Sequence, residues 1–299
     1  MILTIDMGNT NIKVGFVKRD GESSRIIEER LATDHGRTAM NYASDMMAML
    51  AIHKVSAAEI EGGIISSVVS DLTDVIKDAV VKVFGFEPLI VNGSMKMDVD
   101  FSSMAEPESV AADFICGAEG AYSSVIEPVI LVNMGTATTI TIVDGDGHYL
   151  GGVILPGIRT SLKALFGNTT MLPDIDLGKP GRAIAKDTIE ALTSGIIYSN
   201  AGMVDAIIDR MNEEFGAECR VLATGGLAGY VVPYCRHEIT LDGELLLKGL
   251  LELYELNKDG AADTGASGRN MNAVTENAEG GSAEDVSFSI KSAKAAAIF

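Results

Sequence analysis

Apolar and polar positions change period along this chain in a definite order. Residues 2–6, 11–17 and 25–32 carry short apolar runs that read as three strands. Residues 37–51, RTAMNYASDMMAMLA, switch to helical spacing of apolar groups. Gly62-Gly63-Ile64-Ile65-Ser66-Ser67-Val68-Val69 reads as a buried strand entering a serine-rich turn. A helix over 72–83 and a strand over 88–91 follow, which makes the order βββαβαβ. A helix over 108–123 then opens a second series. It continues with strands over 129–133, 138–143 and 149–155, helices over 158–166 and 187–213, a strand over 219–223 and a last helix over 243–256. Alternating strands and helices predict an α/β architecture.

The two series echo one another. An offset of 127 lays Ile2-Leu3 on Val129-Ile130, Asp6 on Asn133, Met7 on Met134 and Gly8 on Gly135. Each strand delivers an acidic or amide residue into a glycine turn, and a second strand follows. Each copy then meets an Asp-Gly turn signal, Asp20-Gly21 in one and Asp144-Gly145-Asp146-Gly147 in the other. The repetition predicts two similar domains with a ligand between them. We place an N-terminal domain over 1–106, a boundary near Glu106-Pro107, and a C-terminal domain over 107–257. Residues 258–299 are rich in Gly, Ala, Ser and Asn and read as a disordered tail.

At 299 residues and 47% apolar, the chain can bury a core in each domain. Its net charge of −19 argues against a nucleic-acid partner, since phosphate-backbone binding needs a basic surface. A nucleotide can still be held locally by turn amides. Cys116, Cys219 and Cys235 form no close pair, which argues against a disulfide framework or a zinc site. Asp6 interrupts the apolar N-terminus, which has no basic flank, so it does not read as a signal peptide. No apolar run in the sequence approaches a membrane span. We expect a cytoplasmic protein without membrane contact.

The candidate chemistry lies in the glycine turns. Asp6 needs a cation to face a phosphate, while Gly8 permits a tight turn that brings backbone amides close. Asn9 and Thr10 add side-chain donors, and Lys13 adds a point charge. The second copy runs Asn133-Met134-Gly135-Thr136-Ala137-Thr138-Thr139, and Thr224-Gly225-Gly226 forms a third turn after a strand. A polar hairpin, threonines that favour strands, and a helix start are the ordinary readings of each turn taken alone. Together they describe phosphate-binding turns flanking a cleft. The four histidines, His35, His53, His148 and His237, fall in no motif.

Asp6-x-Gly8-Asn9-Thr10, Gly135-Thr136-Ala137-Thr138-Thr139, Gly151-Gly152-Val153-Ile154-Leu155-Pro156-Gly157 and Thr224-Gly225-Gly226-Leu227-Ala228, in that order, resemble the type III pantothenate kinases. Thr188-Ile189-Glu190-Ala191-Leu192-Thr193-Ser194-Gly195 resembles the same family. The likeness covers residues 1 to about 257. It implies two actin-like (ribonuclease H-like) ATPase domains, in the superfamily of acetate and sugar kinases, heat-shock chaperone ATPases and actin. It also implies transfer of the γ-phosphoryl group of ATP to pantothenate, the first step towards coenzyme A. By the resemblance, Asp6, Gly8, Asn9, Thr10, Asn11, Lys13 and Thr136 hold ATP phosphates, with Asp6 working through Mg²⁺. Asp113 is the catalytic base, Ala111, Ala112, Phe114 and Thr188 contact the substrate, and Asn133 ligates a monovalent cation, K⁺ or NH₄⁺. The family also implies a homodimer with its substrate and cation sites near the interface.

The sequence departs from the family at the acceptor side. The family's Gly-Ala-Asp-Arg is Ala111-Ala112-Asp113-Phe114 here, so a guanidinium fork for an anionic substrate is missing. A tyrosine usual before the proline is Met104, the family's cation-binding Asp is Asn133, and a usual glycine is Ala185. Arg159, Lys163 or Lys96 could replace the lost charge. Three readings follow: a divergent pantothenate kinase, a kinase for another small hydroxyl compound, or a non-catalytic paralogue that binds ligand and regulates.

Overall fold

The computed structural model describes residues 1–20, 23–125, 127–168, 173 and 175–261. In the first sheet, β1 (Ile2–Met7) pairs antiparallel with β2 (Asn11–Asp20), and β2 with β3 (Ser23–Ala32). On its other side β1 pairs parallel with β4 (Gly62–Ser67), and β4 with β5 (Leu89–Ile90). The order is β3-β2-β1-β4-β5. The second sheet contains β6 (Val129–Met134), β7 (Ala137–Val143), β8 (Tyr149–Pro156), β9 (Arg220–Thr224) and β10 (Thr240–Leu241). Its order, β8-β7-β6-β9-β10, repeats the first sheet strand for strand. The α/β class and the duplication expected from the sequence are both present in the two sheets.

The offset of 127 is kept by the whole of β1 and β6. It then changes, because β2 begins at Asn11 and β7 at Ala137, one residue earlier than the offset predicts. The second glycine turn is therefore one residue shorter than the first.

Helices fill three layers. α1 (Ala39–His53) and α2 (Ser70–Phe84) cover the first sheet through Tyr42, Met46, Ile76 and Val80, all fully buried against Ile5, Val14 and Phe16. α3 (Ala112–Ser124) and α7 (Leu245–Ala261) lie between the sheets. α3 touches β4, β6 and β7, while α7 touches β1, β4 and β5. α7, at the end of the second series, thus packs on the sheet of the first. α4 (Ile158–Gly167), α5 (Thr188–Phe215) and α6 (Ala228–Val231) cover the outer face of the second sheet.

Small residues let α3 and α7 approach closely. A Cβ at Gly120 would overlap the Leu245 carbonyl, and one at Gly249 the Cys116 carbonyl. α7 continues to Ala261, so residues 258–261 are helical where the composition suggested the start of a tail; the remainder, 262–299, lies outside the described residues. α5 has 28 residues and is apolar enough, by length and composition, to cross a membrane, which the sequence reading had excluded. Here one of its faces is spent on the sheet: Ile197, Ala201, Val204 and Ile208 are buried against Ile130, Val132 and Ile140.

Candidate active site

β1 ends where its side chains must change from core to site. Asp6 sits between Lys13 on β2 and Ser66 on β4, and cross-strand neighbours share a face of the sheet. Burial lifts the Asp6 carboxyl to about 6, with Lys13 opposing the rise and Asp113 and Glu28 adding to it. Ser66 Oγ lies beside the Asp6 carboxyl and the Cys116 thiol without the geometry of a hydrogen bond to either. The chain then turns. Gly8 N–H donates to the Asn11 carbonyl at 3.0 Å, and Thr33 Oγ1 donates to the Gly8 carbonyl at 2.6 Å. Asn9, Thr10 and Asn11 are left exposed on a turn whose backbone is tied from both sides.

The second turn repeats this plan and meets the first. Gly135 N–H donates to the Ala137 carbonyl at 2.9 Å. Thr10 Oγ1 and Thr136 Oγ1 are 3.0 Å apart, so the two turns join at their tips. Asn133 lies between Thr139 and Thr224, the positions matching Lys13 and Ser66 in the first copy. The Thr224 hydroxyl is buried without a hydrogen-bond partner among the described residues. The third turn packs on the second: Gly225 has φ +94°, and a Cβ there would crowd the Met134 backbone at 2.5 Å. Gly157 is held the same way against the Thr136 carbonyl, which also accepts from Thr160 Oγ1 at 2.8 Å.

Asp113 stands in the first turn of α3, after an N-cap, Ala111, that offers no side-chain oxygen. Phe114 N–H donates to Asp113 Oδ1 at 3.0 Å. Burial raises the Asp113 carboxyl above its ordinary value, and the Phe114 N–H holds it down in part. α3, which carries Asp113, packs against β4, the strand that pairs with β1 and sets Ser66 beside Asp6. Phe114 packs against the core that holds Phe101, Val110 and Ile115, so its ring fills apolar space and offers no donor fork to an anion.

Other expected residues are placed differently. Lys13 Nζ donates to the Gly243 carbonyl at 3.0 Å, which ties the first turn to the loop before α7. Thr188 opens α5, on the outer face of the second sheet, whereas Asp113 approaches from the inner face. Lys96 is tied through its backbone to Asn257, about three turns along α7 from its start. Arg159 stands in the first turn of α4, beside the Thr136 turn. Ser66, Cys116 and Tyr149 go beyond the residues the sequence singles out, and Thr224 is singled out only as part of the third turn. Ser66 and Thr224 had a signal, a hydroxyl at the end of each parallel partner strand; Cys116 and Tyr149 had none, because helix phase and sheet register bring them in.

The oxygen chemistry fits the expected ions. Asp6 and Ser66 offer hard oxygens, one of them anionic, as Mg²⁺ prefers. Asn133, Thr139 and Thr224 offer only neutral oxygens, which suits a singly charged cation.

Two sheets of one topology thus meet at their glycine turns, with the Asp6 carboxyl beneath the first. A family model for type III pantothenate kinase matches residues 2–210. A type III pantothenate kinase of Paramagnetospirillum magneticum is 38% identical over 258 residues, which is 86% of this chain and 98% of that protein. This chain belongs to the type III pantothenate kinase family. Among solved structures, a protein described as a Baf family transcriptional activator from Campylobacter jejuni aligns with a TM-score of 0.49 and 18% identity, over 86% of this chain and 99% of that one. The activator of a 2-hydroxyisocaproyl-CoA dehydratase from Clostridium difficile aligns with 0.48 and 11%, over 91% and 99%. These two likenesses add nothing to the topology described above.

Proposed function

We propose that this chain transfers the γ-phosphoryl group of ATP to the primary hydroxyl of pantothenate. The observation that carries this reading is Asp113: a half-buried carboxyl in the first turn of α3, a helix packed against β4 beside β1, whose end carries Asp6 and the first of the joined glycine turns. Asp113 accepts the proton of the attacking hydroxyl, and its raised affinity for a proton suits a base. The amides and side chains of Gly8, Asn9, Thr10, Asn11 and Thr136 hold the phosphates. Asp6 and Ser66 would hold Mg²⁺, which neutralises charge on the transferring phosphoryl group. Lys13 leaves the Gly243 carbonyl for a phosphate when the domains, 1–106 and 107–257, close. Asn133 with Thr139 and Thr224 takes a monovalent cation more weakly than a carboxylate would.

The working unit is a homodimer in the cytoplasm. Thr188 and Asp113 approach the second sheet from opposite faces, so Thr188 serves the acceptor of a second copy. The surface around it supports this: Ile184 is 79% exposed, Ile189 49% and Tyr198 37%. Ala111, Ala112 and Phe114 line the acceptor side.

Phe114 favours a second reading, a kinase for a less anionic hydroxyl compound. One assay separates the readings. Protein is incubated with Mg-ATP and pantothenate in potassium and then in sodium buffer, and phosphopantothenate is followed by mass spectrometry. We expect product in wild type, and about a hundredfold less or lower in Asp113→Asn. No product from folded protein that binds ATP overturns the pantothenate reading.

A further inference from the structure

None of the exposed side chains of α1 is charged; its one acidic residue, Asp45, is half-buried and paired with Arg37. Met40, Ser44, Met47, Ala48, Ala51 and Ile52 follow one another at helical spacing along the outward face. Met40 is 63% exposed, Met47 61% and Ile52 72%. A surface helix in a chain of net charge −19 would ordinarily carry its charges on that face. The opposite face anchors the helix, with Tyr42, Met46 and Leu50 buried on the first sheet. Methionine side chains adapt to many shapes, so a row of them on a surface suits a partner segment. α2 packs beside α1 on the same face of the sheet, and its own exposed face carries Asp71, Asp74 and Asp78. Asp71 pairs with His35, whereas Asp74 and Asp78 make no ion pair among the described residues. The outer surface of the first domain thus presents an uncharged helix face and an acidic one side by side.

The chain itself supplies a segment of matching chemistry. Residues 286–299, VSFSIKSAKAAAIF, contain five large apolar side chains, Lys291 and Lys294, and no acidic residue. Residues 262–285, which precede them, contain five acidic residues and only Met271 and Val274 as large apolar groups. α7 delivers this segment to the base of the first sheet. Tyr254 packs on Gly62, the first residue of β4, so closely that a Cβ there would overlap its hydroxyl. The link from α1 to β4 lies along the same base, where the Met1 amino group donates to the Glu59 carbonyl at 2.7 Å. Extended, residues 262–285 span up to about 80 Å. α1 is only about 22 Å long, so reach is ample.

We propose that residues 286–299 dock on the outward face of α1 in the same chain, with their apolar side chains on Met40, Met47 and Ile52 and with Lys291 and Lys294 facing Asp74 and Asp78 of α2. Burial of apolar surface on both sides drives the contact, and the opposite charges select its orientation. α1 lies on the outer face of the first sheet, whereas α3 and α7 lie between the sheets. The inference therefore does not depend on Asp113 or on the acceptor.

Methionine oxidation reads this surface in the full chain. Dilute hydrogen peroxide is added, and the sulfoxide at each methionine is followed by peptide mass spectrometry. The comparison is a full-length variant carrying Ile290→Asp, Ile298→Asp and Phe299→Asp. We expect Met40 and Met47 to oxidise at least about fivefold more slowly in wild type than in that variant. Met46 and Met49, buried on the other face of α1, should oxidise slowly in both and report an intact fold. Equal rates at Met40 and Met47 overturn the proposal. Protection that fades on dilution means that a second copy covers α1, and overturns it too. Lys291→Glu with Lys294→Glu should lose most of the protection; full protection in that variant overturns the pairing with α2. A second readout avoids the aspartate substitutions. Met47→Cys with Ile298→Cys is treated with a short bismaleimide. A bridge between those two peptides within one chain supports the docking; no bridge, or bridges only between chains, overturns it.

Discussion

Glu119 shows how a single buried carboxyl sets pH behaviour without taking part in chemistry. It lies on α3, 1% exposed, and accepts the Val99 N–H at 2.9 Å. Burial lifts it to about 7; the Val99 bond opposes the rise, and Asp98 adds to it. A carboxyl whose folded value is raised binds its proton more tightly folded than unfolded. Its penalty is absent below the unfolded value of 4.5, grows as pH rises towards 7, and is complete above. Glu119→Gln keeps an acceptor for Val99 and removes the charge. We expect it to stabilise the protein at pH 8 by up to about 3 kcal/mol and to do nothing at pH 4, as read by urea denaturation. The four histidines make the opposite kind of contact. Each pairs with a carboxylate at the surface or near it: His35 with Asp71, His53 with Glu29, His148 with Asp144 and His237 with Asp209. Their absence from any motif is matched by these local roles in an acidic protein.

At the scale of elements, the pair α3 and α7 decides where the base stands. Their axes come close because Gly120 and Gly249 present backbone to backbone. Adding a methyl at Gly249 would drive it into the Cys116 carbonyl, one helical turn from Asp113. We expect Gly249→Ala to destabilise by roughly 1–3 kcal/mol, since overpacked interfaces relax only by moving backbone. It should also lower kcat through displacement of α3. Denaturation and steady-state kinetics on one preparation would show both; loss of neither would mean that α7 shifts freely. These elements were legible in the sequence to within a few residues, because their periods differ. Their contact was not. Gly120 and Gly249 read as ordinary helix-weakening residues until the two helices face one another.

At the scale of the molecule, the second copy of the chain completes the site we propose. The apolar surface carried by Ile184, Ile189 and Tyr198 adjoins Thr188. Ile184→Asp with Ile189→Asp places two charges there without touching the core. We expect the variant to sediment as a monomer, to retain its Tm within a few degrees, and to lose most phosphopantothenate formation. A monomeric variant with full activity would remove Thr188 from the acceptor site and the dimer from the mechanism.

By itself the sequence determined the longer strands and helices, though not the short α6 and β10, together with the duplication, the glycine turns and the acidic residues that end or flank them. The reason is local: hydrophobic period and turn chemistry are written in neighbouring residues. The offset of 127 from Asp6 to Asn133 needed no coordinates, and it led to the family. Only the tertiary structure decided which strand ends meet. It joined Thr10 to Thr136 across 126 positions, laid Ser66 beside Asp6 and Thr224 beside Asn133, and tied Lys13 to Gly243. It also sent α7 back to the first sheet. Such neighbours are fixed by sheet register and helix packing, and no local pattern in the chain encodes them.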